Sequence, residues 1–266
     1  MSDEIMPREY PASPGETELK TRVVIVGIGG ATCSGKTTLA KHLLRILPNS
    51  LLIHQDDFAP PQELVPIHPK YNVQDWDAPE GAIDWPRLEA FLTSVKATAQ
   101  IPAEHRSHDH LNEQRDVPVG DATARRWKEV FEEAAKEWDA RGERVVWALL
   151  DGFLLYWDKE VVDSLDVRIF LRVPYDVLRK RREERHGYHT AEGSLWRDPP
   201  NYFDQIVYPA YVRAHTGVFL DGDVENGRPT DKVKDLVVLE PLKVESGMDG
   251  IVERACEVIG ETLKKL

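Results

Sequence analysis

The segment Gly30-Ala31-Thr32-Cys33-Ser34-Gly35-Lys36-Thr37 is the strongest constraint on how this chain can fold. It meets the phosphate-binding pattern G-x-x-x-x-G-K-[ST] at every fixed position. Gly30 and Gly35 let the backbone turn tightly and bring N–H groups close to phosphate oxygens. Lys36 supplies a point charge for β- and γ-phosphates. The Thr37 hydroxyl is a donor suited to Mg²⁺. The flanks give the pattern the setting it needs. Before it runs Val23–Ile28, a continuous apolar stretch that reads as a buried parallel strand. After it, apolar residues at 39, 40, 43, 44 and 47 have helical spacing, and Pro48-Asn49 ends the run.

Four more strands are expected, at Ser50–His54, Val145–Leu150, Val167–Val173 and Asp235–Leu239. Helical patterns separate most of them. This alternation predicts an α/β fold of three layers, a five-stranded parallel sheet covered on both faces. Ligands of such sheets gather at the carboxyl ends of the strands. The chain of 266 residues is long enough for one such domain, expected over 21–266. Residues 1–20 lack an apolar core and read as a disordered extension. The stretch 98–121 is polar and aperiodic, with His105, His108 and His110, and reads as an inserted, solvated loop. Ala122–Arg141 returns to helical spacing with Trp127, Val130, Phe131, Ala134 and Trp138 toward the core. Gly217–Lys234 carries turn chemistry and reads as a flexible loop or hairpin, and Gly250–Leu266 as a closing amphipathic helix.

The acids that matter follow the strands. Gln55-Asp56-Asp57-Phe58 comes directly after the second one. Phosphoryl transfer needs positioning, charge neutralisation and a carboxylate for the attacking hydroxyl, which makes Asp56 the candidate base and a metal neighbour. Asp57 can equally cap the next helix. Asp151 ends the third apolar run and can hold Mg²⁺ or a metal-bound water. Five cations fall between Arg179 and Arg185, followed by His186-Gly187-Tyr188. In a chain of net charge −12 this reads as a lid, about 179–200, that closes over a nucleotide. Trp76-Asp77 can stack a planar ring and accept sugar hydroxyls, or simply pack.

Several classes are argued against. An acidic chain lacks the basic surface of a nucleic-acid binder. No apolar run is long enough to span a membrane. Two cysteines make no disulfide framework, so a reduced, cytoplasmic setting is expected, with the nucleus also open. Cys33 reads as a small residue at a variable loop position. No Asn-Lys-x-Asp segment for guanine recognition is present.

With these residues in place, the chain resembles the nicotinamide riboside kinases, relatives of the uridine kinases. The resemblance rests on Gly29–Ala40, His54-Gln55-Asp56-Asp57-Phe58, Asp151-Gly152-Phe153-Leu154-Leu155-Tyr156 and the arginine-rich lid. Asp198-Pro199-Pro200-Asn201-Tyr202-Phe203-Asp204 and Tyr208-Pro209-Ala210-Tyr211 extend it, in family order, from 22 to about 216. It implies a nucleoside-kinase-like fold and transfer of phosphate from ATP to the ribosyl 5′-hydroxyl of nicotinamide riboside. A uridine or cytidine kinase, another small-molecule P-loop kinase and a non-catalytic nucleotide-binding regulator are the alternatives. By matching position, Gly30, Ala31, Thr32, Cys33, Ser34, Gly35, Lys36, Thr37 and Thr38 cradle ATP, with Arg181 and Arg185 as further nucleotide contacts. Asp56, Lys36 and Arg182 are implied as catalytic, and Thr37, Asp56 and Asp151 as holding Mg²⁺. Asp56, Asp57, Phe58, Trp76, Asp77 and Arg182 are implied as substrate contacts. Trp76 stands where the family has a stacking Tyr, and Asp151 where it often has Glu. The 98–121 insertion and the N-terminal extension depart from compact family members. A monomer or weak homodimer is expected.

Overall fold

A computed structural model describes residues 19–112, 115–185, 187–190 and 192–266. The N-terminal extension falls on 1–18, outside the described residues, as does His186 of the lid. Along the chain come β1 (Lys20–Gly30), α1 (Lys36–Ile46), β2 (Ser50–His54), α2 (Trp85–Thr98), α3 (Asp121–Ala140) and β3 (Glu143–Gly152). They are followed by α4 (Lys159–Ser164), β4 (Val167–Leu171), α5 (Tyr175–Glu183), β5 (Tyr188–His189), β6 (Leu195–Trp196), α6 (Tyr208–His215), β7 (Val237–Leu239) and α7 (Met248–Leu263).

Five strands form one parallel sheet in the order β2-β3-β1-β4-β7, while β5 and β6 make a separate antiparallel hairpin. The central strand β1 explains the layers. Its side chains alternate between two faces, and both are dry. Val24, Val26 and Ile28 join Trp147, Leu149, Ile169 and Leu171 under α1, α3 and α7. Ile25 joins Ile53, Ala148, Leu150 and Phe170 under α2, α4 and α6. A strand covered on both sides needs a continuous apolar run, which is what the sequence has.

The structure shifts some expected bounds. β1 begins at Lys20, a residue assigned to the extension. β7 starts at Val237 rather than Asp235, because Asp235 sits at φ 56°, a left-handed turn that a strand cannot absorb. β4 stops at Leu171, two residues short of Val173, where Pro174 turns the chain into α5. In α3, Phe131 is buried as expected, but Val130 is 48% exposed and lies off the apolar stripe. Gly217–Lys234 is an ordered, hairpin-like turn: Leu220 N–H donates to Arg228 O (2.8 Å), and Val218, Phe219, Val224 and Val233 enter the core. The inserted segment also departs from the expected solvated loop, since His105 and His108 are half-buried against the site while His110 is exposed. Among the described residues no helix is long and apolar enough to cross a membrane.

Tyr156 ties the sheet together from below the phosphate loop. Its hydroxyl donates to Ile169 O (2.7 Å) and lies 3.2 Å from Gly27 O, and its ring packs where a side chain on Gly29 would stand. Tyr156→Phe keeps the ring and leaves strand carbonyls short of a donor. Its urea midpoint should fall by the equivalent of about 1 kcal/mol at unchanged m-value. An unshifted midpoint would show that the hydroxyl contributes nothing to holding β1 against β4.

Candidate functional site

The loop between β1 and α1 is held by backbone geometry. Gly30 has φ 139° and Gly35 φ 101°, and Cys33 sits at φ 59°. A Cβ on Gly30 would strike the Leu171 carbonyl of β4, so only glycine fits. The Ser34 hydroxyl is buried without a partner among the described residues. Three cations close on the loop from above. Lys36 Nζ donates to Ala31 O (2.8 Å), Arg182 Nη1 to Thr32 Oγ1 (2.9 Å) and Arg181 Nη1 to Cys33 O (3.0 Å).

Asp56 and Asp151 stand at the neighbouring strand ends. Gln55–Phe58 is a single 3-10 turn following β2, and Gln55 Oε1 accepts from Leu154 N (2.9 Å), pinning the turn to the end of β3. Surrounding protein raises the Asp56 pKa by desolvation although the residue is exposed, and the charge of Asp151 raises it further, while Lys36 and His54 pull it back. Burial drives the Lys36 pKa down against the attraction of Asp56 and Asp151. Asp151 is different. Burial opposes its charge, but the hydrogen bond and charge of His54, with Thr37 and Lys36 behind them, hold its pKa low. His54 Nδ1 lies 2.8 Å from Asp151 Oδ1. Burial works against the imidazole proton, yet Asp151, Asp109 and Asp57 outweigh it and lift His54 to about 9.

A divalent cation fits this set on its chemistry. Two carboxylates repel each other at adjoining strand ends, Asp151 Oδ2 is buried without a partner among the described residues, and the Thr37 hydroxyl belongs to the same cluster. Hard oxygen donors and uncompensated negative charge are what Mg²⁺ takes.

Arg182 links the loop to the acceptor side. It is buried and grips Asp198 with two parallel bonds, Nε to Oδ2 (2.7 Å) and Nη2 to Oδ1 (3.0 Å). Burial opposes its charge, and Asp77 and Asp198 more than offset that. Asp198 also accepts from Tyr188 (3.2 Å) and from Trp196 Nε1 (3.0 Å). Arg185 lies over the Tyr188 ring, 5.1 Å from its centroid. The lid is thus the end of α5 plus the β5–β6 hairpin, not a helix alone.

Asp75 shapes the acceptor turn by accepting from Asp77 N (3.2 Å) and Ala78 N (2.8 Å). Asp77 is buried with Oδ2 unpartnered among the described residues. Burial lifts its pKa, Asp198, Asp75 and Asp56 add to that, and Arg182 restrains it, leaving it at about 7. Trp76 packs on Trp196 with centroids 5.8 Å apart, its N–H donates to the Tyr202 hydroxyl (3.1 Å), and its Nε1 is buried without a partner among the described residues.

Two expected substrate contacts face elsewhere. Phe58 is 2% exposed, packed on Phe91 and His105, so its side chain belongs to the core. Asp57 turns toward the insertion, where its Oδ1 accepts from His108 N (3.3 Å) and His105 Nε2 lies 3.5 Å from Oδ2. Sequence reasoning did not single out His54 or Trp196 as parts of the site, and on sequence alone the 98–121 insertion could cover the site or bind a partner. For His54 the signal was present, as a polar residue ending a buried strand beside Asp56.

No family model matches the chain. Curated relatives do. The nicotinamide riboside kinase of Saccharomyces cerevisiae is 35% identical over 220 residues, 81% of this chain and 88% of the relative. That of Eremothecium gossypii is 34% identical over 213 residues, 80% and 84% respectively. Nicotinamide riboside kinase 2 of Homo sapiens is 35% identical over 191 residues, 71% and 66%.

Asp77 makes the site sensitive to pH. A carboxyl whose pKa is raised on folding stabilises fully below the ordinary carboxylate range. That contribution is lost as pH rises, and is gone above about 7. Urea unfolding of Asp77→Asn should therefore lose this part of the pH dependence between about pH 4 and 7. Parallel stability–pH curves for the two proteins would refute the burial of an ionisable Asp77.

Proposed function

The chain belongs to the nicotinamide riboside kinase family, and from that premise we propose that it transfers the γ-phosphoryl group of ATP to the 5′-hydroxyl of nicotinamide riboside. The products are nicotinamide mononucleotide and ADP. The observation that carries the reading is that Arg182 bonds the phosphate loop at Thr32 and shares its charge with Asp77, which in turn feels Asp56.

In this reading the amides of Gly30–Thr38 and the Lys36 ammonium cradle the ATP phosphates, with Arg181 and Arg185 on the nucleotide from the lid side. Thr37, Asp56 and Asp151 would hold Mg²⁺, which would supply charge neutralisation for the phosphates. Asp77 accepts ribosyl hydroxyls, and Trp76 offers its face to the base. Asp56 accepts the proton of the 5′-hydroxyl as the oxygen bonds to the γ-phosphorus and the bond to the β-phosphate oxygen breaks. The raised Asp56 pKa suits a proton acceptor. Arg182, fixed by Asp198, meets the charge on the transferring group without reorganising.

Both cysteines are free, which supports a reducing compartment, the cytoplasm or nucleus.

A coupled ADP-release assay across nicotinamide riboside, nicotinic acid riboside, uridine and cytidine tests the reading. The first should give the highest kcat/KM. Asp56→Ala should lower kcat by at least about a hundredfold with ATP affinity retained. Turnover of uridine or cytidine alone would overturn the substrate assignment, and undiminished kcat in Asp56→Ala the role of the base.

A further inference from the structure

The inserted segment reaches three parts of the site at once. It is internally braced: His105 N–H donates to Pro102 O (3.0 Å), Leu111 N–H to His108 O (2.9 Å), and Arg106 Nη1 to Ala103 O (2.6 Å). On one side it holds the Gln55–Phe58 turn. The His105 ring stacks on Phe58 (5.5 Å, 22°) and lies 4.7 Å from Phe91, and His105 and the His108 amide both face Asp57, next to Asp56. In the middle, Asp109 pairs with Lys41 of α1 (2.5 Å) and lies 3.8 Å from His54 Nε2. On the other side it holds the lid. Asn112 Oδ1 accepts from His189 N–H of β5 (2.8 Å), and Gly193 lies against the His108 ring.

We propose that Pro102–Asn112 is a positioning strap for phosphoryl transfer. It keeps the turn bearing Asp56 and the lid hairpin in register, His105 acting on the turn and Asn112 on the hairpin. The inference deepens the kinase reading above and rests on it for its catalytic consequence. A misplacement on the order of 1 Å of a catalytic carboxylate costs up to about a hundredfold in rate, so a segment that fixes both the base and the water-excluding lid has leverage on kcat. Among the described residues its ion pairs near the phosphate loop are with Lys41 of α1 and with His54, not with the loop itself, so nucleotide affinity should be spared.

Three variants test this. His105→Phe keeps a ring between Phe58 and Phe91 and removes the contact with Asp57. Asn112→Ala removes the acceptor for the hairpin amide, and Asn112→Asp restores it. Amide hydrogen exchange should quicken at 55–58 in His105→Phe and at 188–189 in Asn112→Ala, and return toward the wild-type rate in Asn112→Asp. With nicotinamide riboside, kcat should fall about tenfold in the first two, with the KM for ATP within about twofold of wild type. Asn112→Ala should also release more than one ADP per nucleoside phosphorylated, because the lid no longer excludes water. Unchanged exchange at both places would overturn the strap, as would a loss of kcat that Asn112→Asp does not rescue. A wild-type protein that phosphorylates no nucleoside would refute the kinase reading instead, and the exchange rates would still decide the strap.

Discussion

Burial of the central strand on both faces dictates where the polar chemistry of this protein can sit. β1 is nearly dry from Val24 to Gly30, between β3 and β4 and beneath two helical layers. Its backbone is satisfied by the ladders, so no polar side chain is needed or tolerated along it. The first place where N–H groups become free is the turn after Gly30, where the ladder ends and α1 has not begun. There the first-turn amides of a helix lack partners and favour an anion. The register of β1 with β3 pairs Ile28 with Asp151, and that of β2 with β3 pairs His54 with the same Asp151. The sheet therefore delivers loop, acid and histidine to one level.

That arrangement concentrates charge at the strand ends, and the charges do not balance locally. Asp57, Asp77 and Asp151 are buried with His54 and Arg182, while Lys36 is half-buried and Asp56 is exposed. Each partner shifts the others, so the pKa values of Asp56 and Asp77 rise while that of Asp151 falls. Among the described residues, buried atoms on Ser34, Asp77 and Asp151 have no protein partner, and leaving such atoms unpaired costs stability. A fold retains such groups where a ligand completes them, and a polyphosphate with a divalent cation and a polyhydroxylated acceptor supply the missing partners in kind.

The sheet and its phosphate loop were legible because their signals are local. A β-branched run, a glycine pattern and a 3.6-residue stripe each fit within a dozen residues. The acid at each strand end was legible for the same reason. What escaped was written across distance. α2 was passed over although Leu88, Phe91, Leu92 and Val95 have helical spacing, and the polar stretch beginning at Thr98 drew attention away from it. The insertion looked solvated because its polarity is high and its period absent. Its partners, Asp57, Lys41 and His189, lie dozens of residues away, and nothing local announces a hydrogen bond between Asn112 and His189. Nothing local tells that the Phe58 side chain packs into the core while Asp56, in the same tight turn, is exposed.

The three cations over the phosphate loop show how such a site waits for its ligand. Lys36, Arg182 and Arg181 donate to Ala31 O, Thr32 Oγ1 and Cys33 O, three consecutive residues of the loop that would cradle phosphate. Each acceptor is neutral. A charge-assisted bond to a phosphate oxygen is stronger than one to a carbonyl or hydroxyl, so an arriving polyphosphate wins these donors without asking them to travel far. Meanwhile the loop oxygens stop cations that are desolvated and crowded from repelling one another. Arg182 alone keeps a fixed anion, Asp198, which itself collects Tyr188 and Trp196 of the lid hairpin. The phosphate loop and the β5–β6 hairpin are therefore joined through one guanidinium, so the hairpin that Asp198 gathers cannot move without moving the Arg182 charge.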